Sequence, residues 1–136
     1  MSDITVSATQ VRTLIPSDIQ PSLVAGEALT VGNLVQIRND GVFKANNTTA
    51  AGVAGVLGIV MTGSRAAADG SIVIGETVSV LTKGRVFVGV NQALTTKGTY
   101  YTSANAGRIA DATSTNARII GNTITSEILD FNPSAA

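Results

Sequence analysis

ALTVGNLVQIRNDGVFKA, residues 28–45, reads as two short β-strands joined at Asn39-Asp40-Gly41, with Gly32 leading into the first. A tight reversal asks for positive φ, which Gly supplies without steric cost, so this hairpin is expected to be sharp and its tip exposed. The same punctuation continues along the chain. From Gly26 onward Gly, Asn or Asp recurs every eight to twelve residues with Val, Ile and Thr between, the pattern of a β-sandwich or barrel. Strands are expected over 34–38, 42–45, 55–62, 71–74, 77–82, 85–90, 99–102, 108–110, 118–125 and 127–131, and a second tight hairpin at Lys83-Gly84. No stretch holds a helical period over three turns. The fold class is therefore all-β: a compact β-sandwich or barrel of short antiparallel strands, preceded by an extended N-terminal arm.

The opening stretch has an echo. ALTTKGTYYTSANAGRIADA, residues 93–112, repeats the Ala-Leu-Thr lead, a Gly, a short strand, a Gly turn and a strand ending near Ala. Both copies then pass a Thr/Asn/Ala-rich loop and enter an apolar strand that contains one glycine, Gly58 in GVLGIVM and Gly121 in ARIIGNTIT. An internal duplication of 28–62 in 93–125 accounts for the pattern, with each copy supplying a hairpin plus a long strand to one core.

A chain of 136 residues forms one domain, large enough to bury about two thirds of its unfolded surface. It contains no Cys and no His, which removes disulfides, thiolate nucleophiles, His-based triads and ordinary zinc sites by inventory. Nine basic against nine acidic residues leave no net charge, and no cluster of Lys and Arg marks a nucleic-acid footprint. MSDITVSATQVRTLIPSDIQ lacks a basic start followed by an apolar run, and no segment approaches the roughly 18 apolar residues of a membrane span. The expectation is a protein made and kept in solution. Charged residues make up 13% against 44% hydrophobic, below the charge a small free monomer carries on its surface. Two readings fit: a surface partly covered by assembly, or a weakly charged β-domain.

Residues 1–25 differ from the single β-domain expected over 26–136. They hold Pro16 and Pro21 and no Gly, and each proline pushes the residue before it toward extended geometry. Ile4 and Val6 alternate with polar residues, and Val11, Leu14 and Ile15 add apolar groups, so these five are the candidate contacts to a shell or to a sister protomer. An edge strand lying on its own domain is the alternative. Asn39, Asp40 and Gly41 are the candidate exposed tip.

Chemistry is thin. GVAGVLG, residues 52–58, lacks the spacing of a phosphate loop and reads as a buried strand with close backbone approach. Asp40, Asp69, Glu76 and Asp111 lie in or beside Gly turns, where carboxylates bond nearby backbone, and none belongs to a calcium-loop array. Tyr100-Tyr101, adjacent on a strand, should split between core and surface. No catalytic, metal or cofactor-binding residue is assigned, and no cofactor is expected.

AGEALTVGNLVQIRNDGVFKANNTTAAGVAGVLGIV, GETVSVLTKGRVFV, LTTKGTYYTSANAGRI and IIGNTITSEILDF together resemble the small capsid decoration (cement) proteins of tailed bacteriophages, including the DUF2190-like group; the likeness spans residues 25–131. The resemblance implies a β-rich domain, commonly trimeric, that sits outside the assembled shell at three-fold or quasi-three-fold positions and clamps adjacent capsomers. It implies the major capsid protein and further copies of the chain, as a homotrimer, for partners, and neither nucleic acid nor membrane. It implies no enzyme activity and no cofactor, with synthesis in the host cytoplasm. A receptor- or glycan-binding β-module of a fibre or surface appendage is the alternative, and a carboxylate-dependent hydrolase the third reading.

Overall fold

The computed structural model describes residues 11–87, 98–111, 116–125 and 128–133. Among these the strands are β1 (Arg12–Val24), β2 (Leu29–Thr30), β3 (Leu34–Arg38), β4 (Gly41–Lys44), β5 (Val56–Gly63), β6 (Ser71–Ile72), β7 (Thr77–Phe87), β8 (Thr99–Thr102), β9 (Ile109–Ala110), β10 (Ile119–Thr125) and β11 (Ile128–Phe131). One 3₁₀ turn, Ala51–Val53, lies between β4 and β5. The stretch read as one buried strand over 52–58 is thus divided: Ala54 and Gly55 are exposed, and regular pairing starts at β5.

Nine strands form one antiparallel sheet in the order β4-β3-β5-β7-β11-β10-β8-β9, with β1 also on β7, while β2 and β6 pair separately. The sheet curls into a half-barrel. Its organising element is β7. Along one edge β7 pairs with β1 from Arg12↔Phe87 to Val24↔Thr77. Along the other it pairs first with β5, from Gly63↔Val78 to Ile59↔Leu81, and then with β11, from Phe131↔Gly84 to Ile128↔Phe87.

This corrects the expected hairpin at Lys83-Gly84. The chain runs straight through as one strand, because Gly84 is paired on both sides, to Ser17 and to Phe131. Its φ of +135° is a conformation that side-chain-bearing residues rarely adopt. The glycine serves an irregularity at the point where β7 exchanges β5 for β11, not a reversal.

Alternation along the central strands builds two cores. Leu34, Leu57, Ile59 and Leu81 point into a cluster shared with Tyr100, Ile120, Leu129 and Phe131, whereas Val35, Val60, Val78 and Val80 point into a second cluster with Ala25, Leu29, Val42 and Ile72. β5 is therefore buried on both faces from Leu57 to Met61, which is why it reads as an unbroken apolar run. The adjacent tyrosines divide as expected, with Tyr100 in the core and Tyr101 half-exposed.

The pairing order β4-β3-β5 of the first half is matched by β9-β8-β10 in the second. The ends of the curled sheet are tied by main-chain bonds: Leu34 N donates to Gly107 O (2.9 Å), Gly107 N to Ala45 O (2.9 Å) and Asn47 N to Ser103 O (3.0 Å). Residues 12–24 are extended, and they lie on β7 of their own domain, which is the edge-strand alternative for this part of the arm. The ladder is irregular there, shifting register three times and passing Ser22 at φ +62°.

Candidate functional site: a braced apolar turn

The turn between β6 and β7, Val73-Ile74-Gly75-Glu76, is anchored by a buried carboxylate. Glu76 Oε1 accepts from Arg65 Nε (3.0 Å) and from Val73 N (3.1 Å), and Oε2 accepts from Arg65 N (3.0 Å). Arg65 Nη2 also donates to Ser71 O (3.2 Å), so a single guanidinium ties the loop after β5 to β6 and to the turn. Burial pushes the Glu76 carboxyl upward, but the Arg65 and Val73 amides and the guanidinium outweigh it and hold the pKa below its ordinary value. Asp69 is likewise held low by the backbone and hydroxyl of Ser71, in a turn where its carboxylate accepts from Ser71 N at 3.0 Å.

What this bracing presents is apolar. Ile74 is 69% exposed and Val73 47%, the former the most exposed large aliphatic side chain among the described residues. Val24, at the end of β1 and 49% exposed, is brought to the same place because Ala25 N donates to Glu76 O (2.9 Å) and Gly75 N to Ala25 O (2.8 Å). The β3–β4 hairpin joins this end through Gly26 N donating to Val42 O (2.9 Å). Asn39 and Asp40 are exposed at its tip, and Gly41 is half-buried with its main chain against Val24 and Gly26. Single exposed aliphatics are ordinary, but two on a turn fixed by charged hydrogen bonds, with a third on the strand end tied to it, have the character of a docking anchor.

A second apolar pair lies at the start of β5 and β10. Arg118 Nη1 donates to Val53 O (2.6 Å) and Gly55 O (2.8 Å), tying the segment before β5 to the residue before β10; Val56 and Ile119, the first residues of these strands, are both exposed.

Of the contacts expected from the arm, Val11 is half-buried against the larger core, Leu14 and Ile15 fall within β1, and Ile4 and Val6 lie outside the described residues. The anchor residues Val24, Val73 and Ile74 were not singled out by sequence reading. VIG ahead of a Glu looks like the end of a strand, and only the two-residue length of β6 turns Val73 and Ile74 outward. Glu76 is, as the sequence suggests, a turn carboxylate bonding nearby backbone at Val73, and it also bonds Arg65 eleven residues away.

The arrangement offers surface rather than reaction chemistry. Among the described residues no group of three or more Asp and Glu is placed to hold a metal ion. A family model described as structural cement protein (E217 gp24/Pam3 gp6) matches residues 5–135. The chain belongs to this family of phage structural cement proteins. Searches of curated proteins and of solved structures returned no match. As a cement protein it is a structural component of the phage virion that binds capsid protein and stabilises the capsid. An all-β domain whose apolar side chains project from a braced turn suits that role.

Proposed function

We propose that the chain sits on the outside of the phage capsid and clamps adjacent capsomers, as a homotrimer at three-fold or quasi-three-fold positions. The observation that carries this reading is the family match across residues 5–135. The geometry supports it: the Val24, Val73 and Ile74 side chains, with the β3–β4 tip beside them, offer a rigid contact to the major capsid protein, and many such contacts on one shell act by avidity. The chain works without catalysis, cofactor, nucleic acid or membrane. The matching strand order of the two halves supports an internal duplication of residues 28–62 in 93–125.

The test is addition of purified protein to undecorated capsids. Co-sedimentation together with a higher melting temperature of the shell, and a solution mass of three chains, are the expected results. A monomer that leaves shell stability unchanged overturns the reading.

A further inference from the structure

Arg65 and Arg118 turn terminal nitrogens onto acceptors within the fold, at Ser71 O and at Val53 O and Gly55 O. Arg38, at the end of β3, is held too, but through other atoms. Its Nε donates to Gln36 Oε1 (2.9 Å), and its guanidinium carbon lies 4.8 Å from the centre of the Phe43 ring. Both supports are themselves fixed. Gln36 is buried, and its Nε2 donates to Ala51 O (2.7 Å) and Ala54 O (2.8 Å), which keeps Oε1 turned toward Arg38. The Phe43 ring seats against Gly26, where a Cβ would overlap it. Strand register explains the grouping, because Gln36 and Arg38 share a face of β3 and Phe43 is directly opposite Gln36 on β4. Arg38 is nonetheless exposed, and among the described residues no acceptor is paired with its Nη1 or Nη2.

We propose that Arg38 is a docking residue whose Nη1 and Nη2 take one Asp or Glu carboxylate of the major capsid protein. A guanidinium fork matches a carboxylate with paired N–H···O bonds. Here the Nε bond and the Phe43 ring order the side chain beforehand, so less of its freedom is lost on binding. Position points to the shell. Arg38 pairs across the hairpin with Gly41, whose main chain lies against Val24, so it stands at the end of the molecule that carries the Val24, Val73 and Ile74 side chains. An arginine beside an apolar anchor is the composition of an interface hot spot. Local charge selects the ligand. A nucleic-acid backbone calls for several cations together, whereas Asp40 is exposed on the same hairpin and Glu27, whose Oε2 accepts from Lys44 N (2.8 Å), flanks it. A single fork with carboxylates nearby suits one carboxylate and disfavours a polyanion.

The inference rests on the shell-docking reading, and the experiment separates the two. Wild type, Arg38→Ala and Phe43→Leu are titrated onto undecorated capsids at low and at high sodium chloride. Arg38→Ala should lower affinity by about tenfold or more and remove most of its salt dependence, with the circular dichroism melt unchanged. Phe43→Leu should lower affinity several-fold but keep the salt dependence, because the charge remains and only its ordering is lost. Carbodiimide then identifies the partner. It condenses an amine with a carboxylate, so Arg38→Lys bound to capsids should be joined through residue 38 to an Asp or Glu of the capsid protein, read by peptide mass spectrometry. A wild type that binds no capsid removes the docking reading and this inference with it. A wild type that binds while Arg38→Ala binds equally well, or a residue 38 joined only to another copy of the chain, overturns this inference alone. A preference for duplex DNA over capsids that Arg38→Ala abolishes also overturns it.

Discussion

Gly58 of β5 and Gly121 of β10 stand in the same relation to the strand beside them. A methyl group on Gly58 would meet Val80 and the Leu81 carbonyl of β7, and one on Gly121 would meet the Asp130 carbonyl and Phe131 of β11. Each glycine lets its strand lie closer to its neighbour than any side chain allows.

Alanine at either position is therefore expected to destabilise the protein by about 1–3 kcal/mol, the usual range for forcing extra atoms into a packed site. Gly121→Ala should be the more severe, because its nearest obstacle is backbone, whereas at Gly58 the nearest is a valine side chain that can shift in part. Chemical denaturation of the two variants checks the order; equal or negligible losses would contradict the close approach.

Glu76 gives the fold a pH dependence of definite sign. Its folded pKa lies below the ordinary 4.5, so the stability it contributes is fully present above that value and is lost as the pH falls through the lower, folded value. Asp69 acts in the same direction. Thermal melts of the wild type and Glu76→Gln should differ at pH 7, with the wild type higher, and draw together in the acid range below 4.5. Parallel curves down to pH 3 would count against the carboxylate as the brace of the turn.

Ile74→Asp separates docking from folding. An exposed position of this kind changes stability by no more than about 0.5 kcal/mol, whereas burying an isoleucine side chain in a partner contributes about 1.5–3 kcal/mol. Affinity for undecorated capsids should fall at least tenfold with the melting temperature almost unmoved. Isothermal binding alongside calorimetry reads both quantities, and intact binding would remove the turn from the contact surface.

Asn47 is buried, and its side-chain amide donates to Thr102 O at 2.9 Å, across the closure between the two halves. Asn47→Leu leaves that carbonyl without this donor in a water-poor site and should cost about 1–3 kcal/mol. Accelerated hydrogen exchange at the Leu34 and Gly107 amides, which donate across the closure, would localise the loss there.

Much of this architecture is written in local pattern. The β3–β4 hairpin follows from Asn39-Asp40-Gly41 between alternating segments, and β8 and β10 begin within a residue of where periodicity puts them. What was illegible has one physical origin, in that local signals cannot report a partner distant in sequence. Lys83-Gly84 carries the composition of a turn, yet β1 on one side and the β5-to-β11 exchange on the other hold it straight. Val73 and Ile74 are chemically core residues, and their exposure follows from a buried Glu76 bound to Arg65, a pairing that no periodicity encodes.

The shared strand also bears on how the molecule yields. Val78, Val80, Leu81, Gly84, Val86 and Phe87 have ladder partners on both edges of β7, so releasing either half disturbs the strand that the other half pairs with. The two cores are thereby bound into one cooperative unit instead of two separately melting lobes. On a shell, a protomer gripped at one end passes strain through β7 to the other instead of shedding it by local fraying.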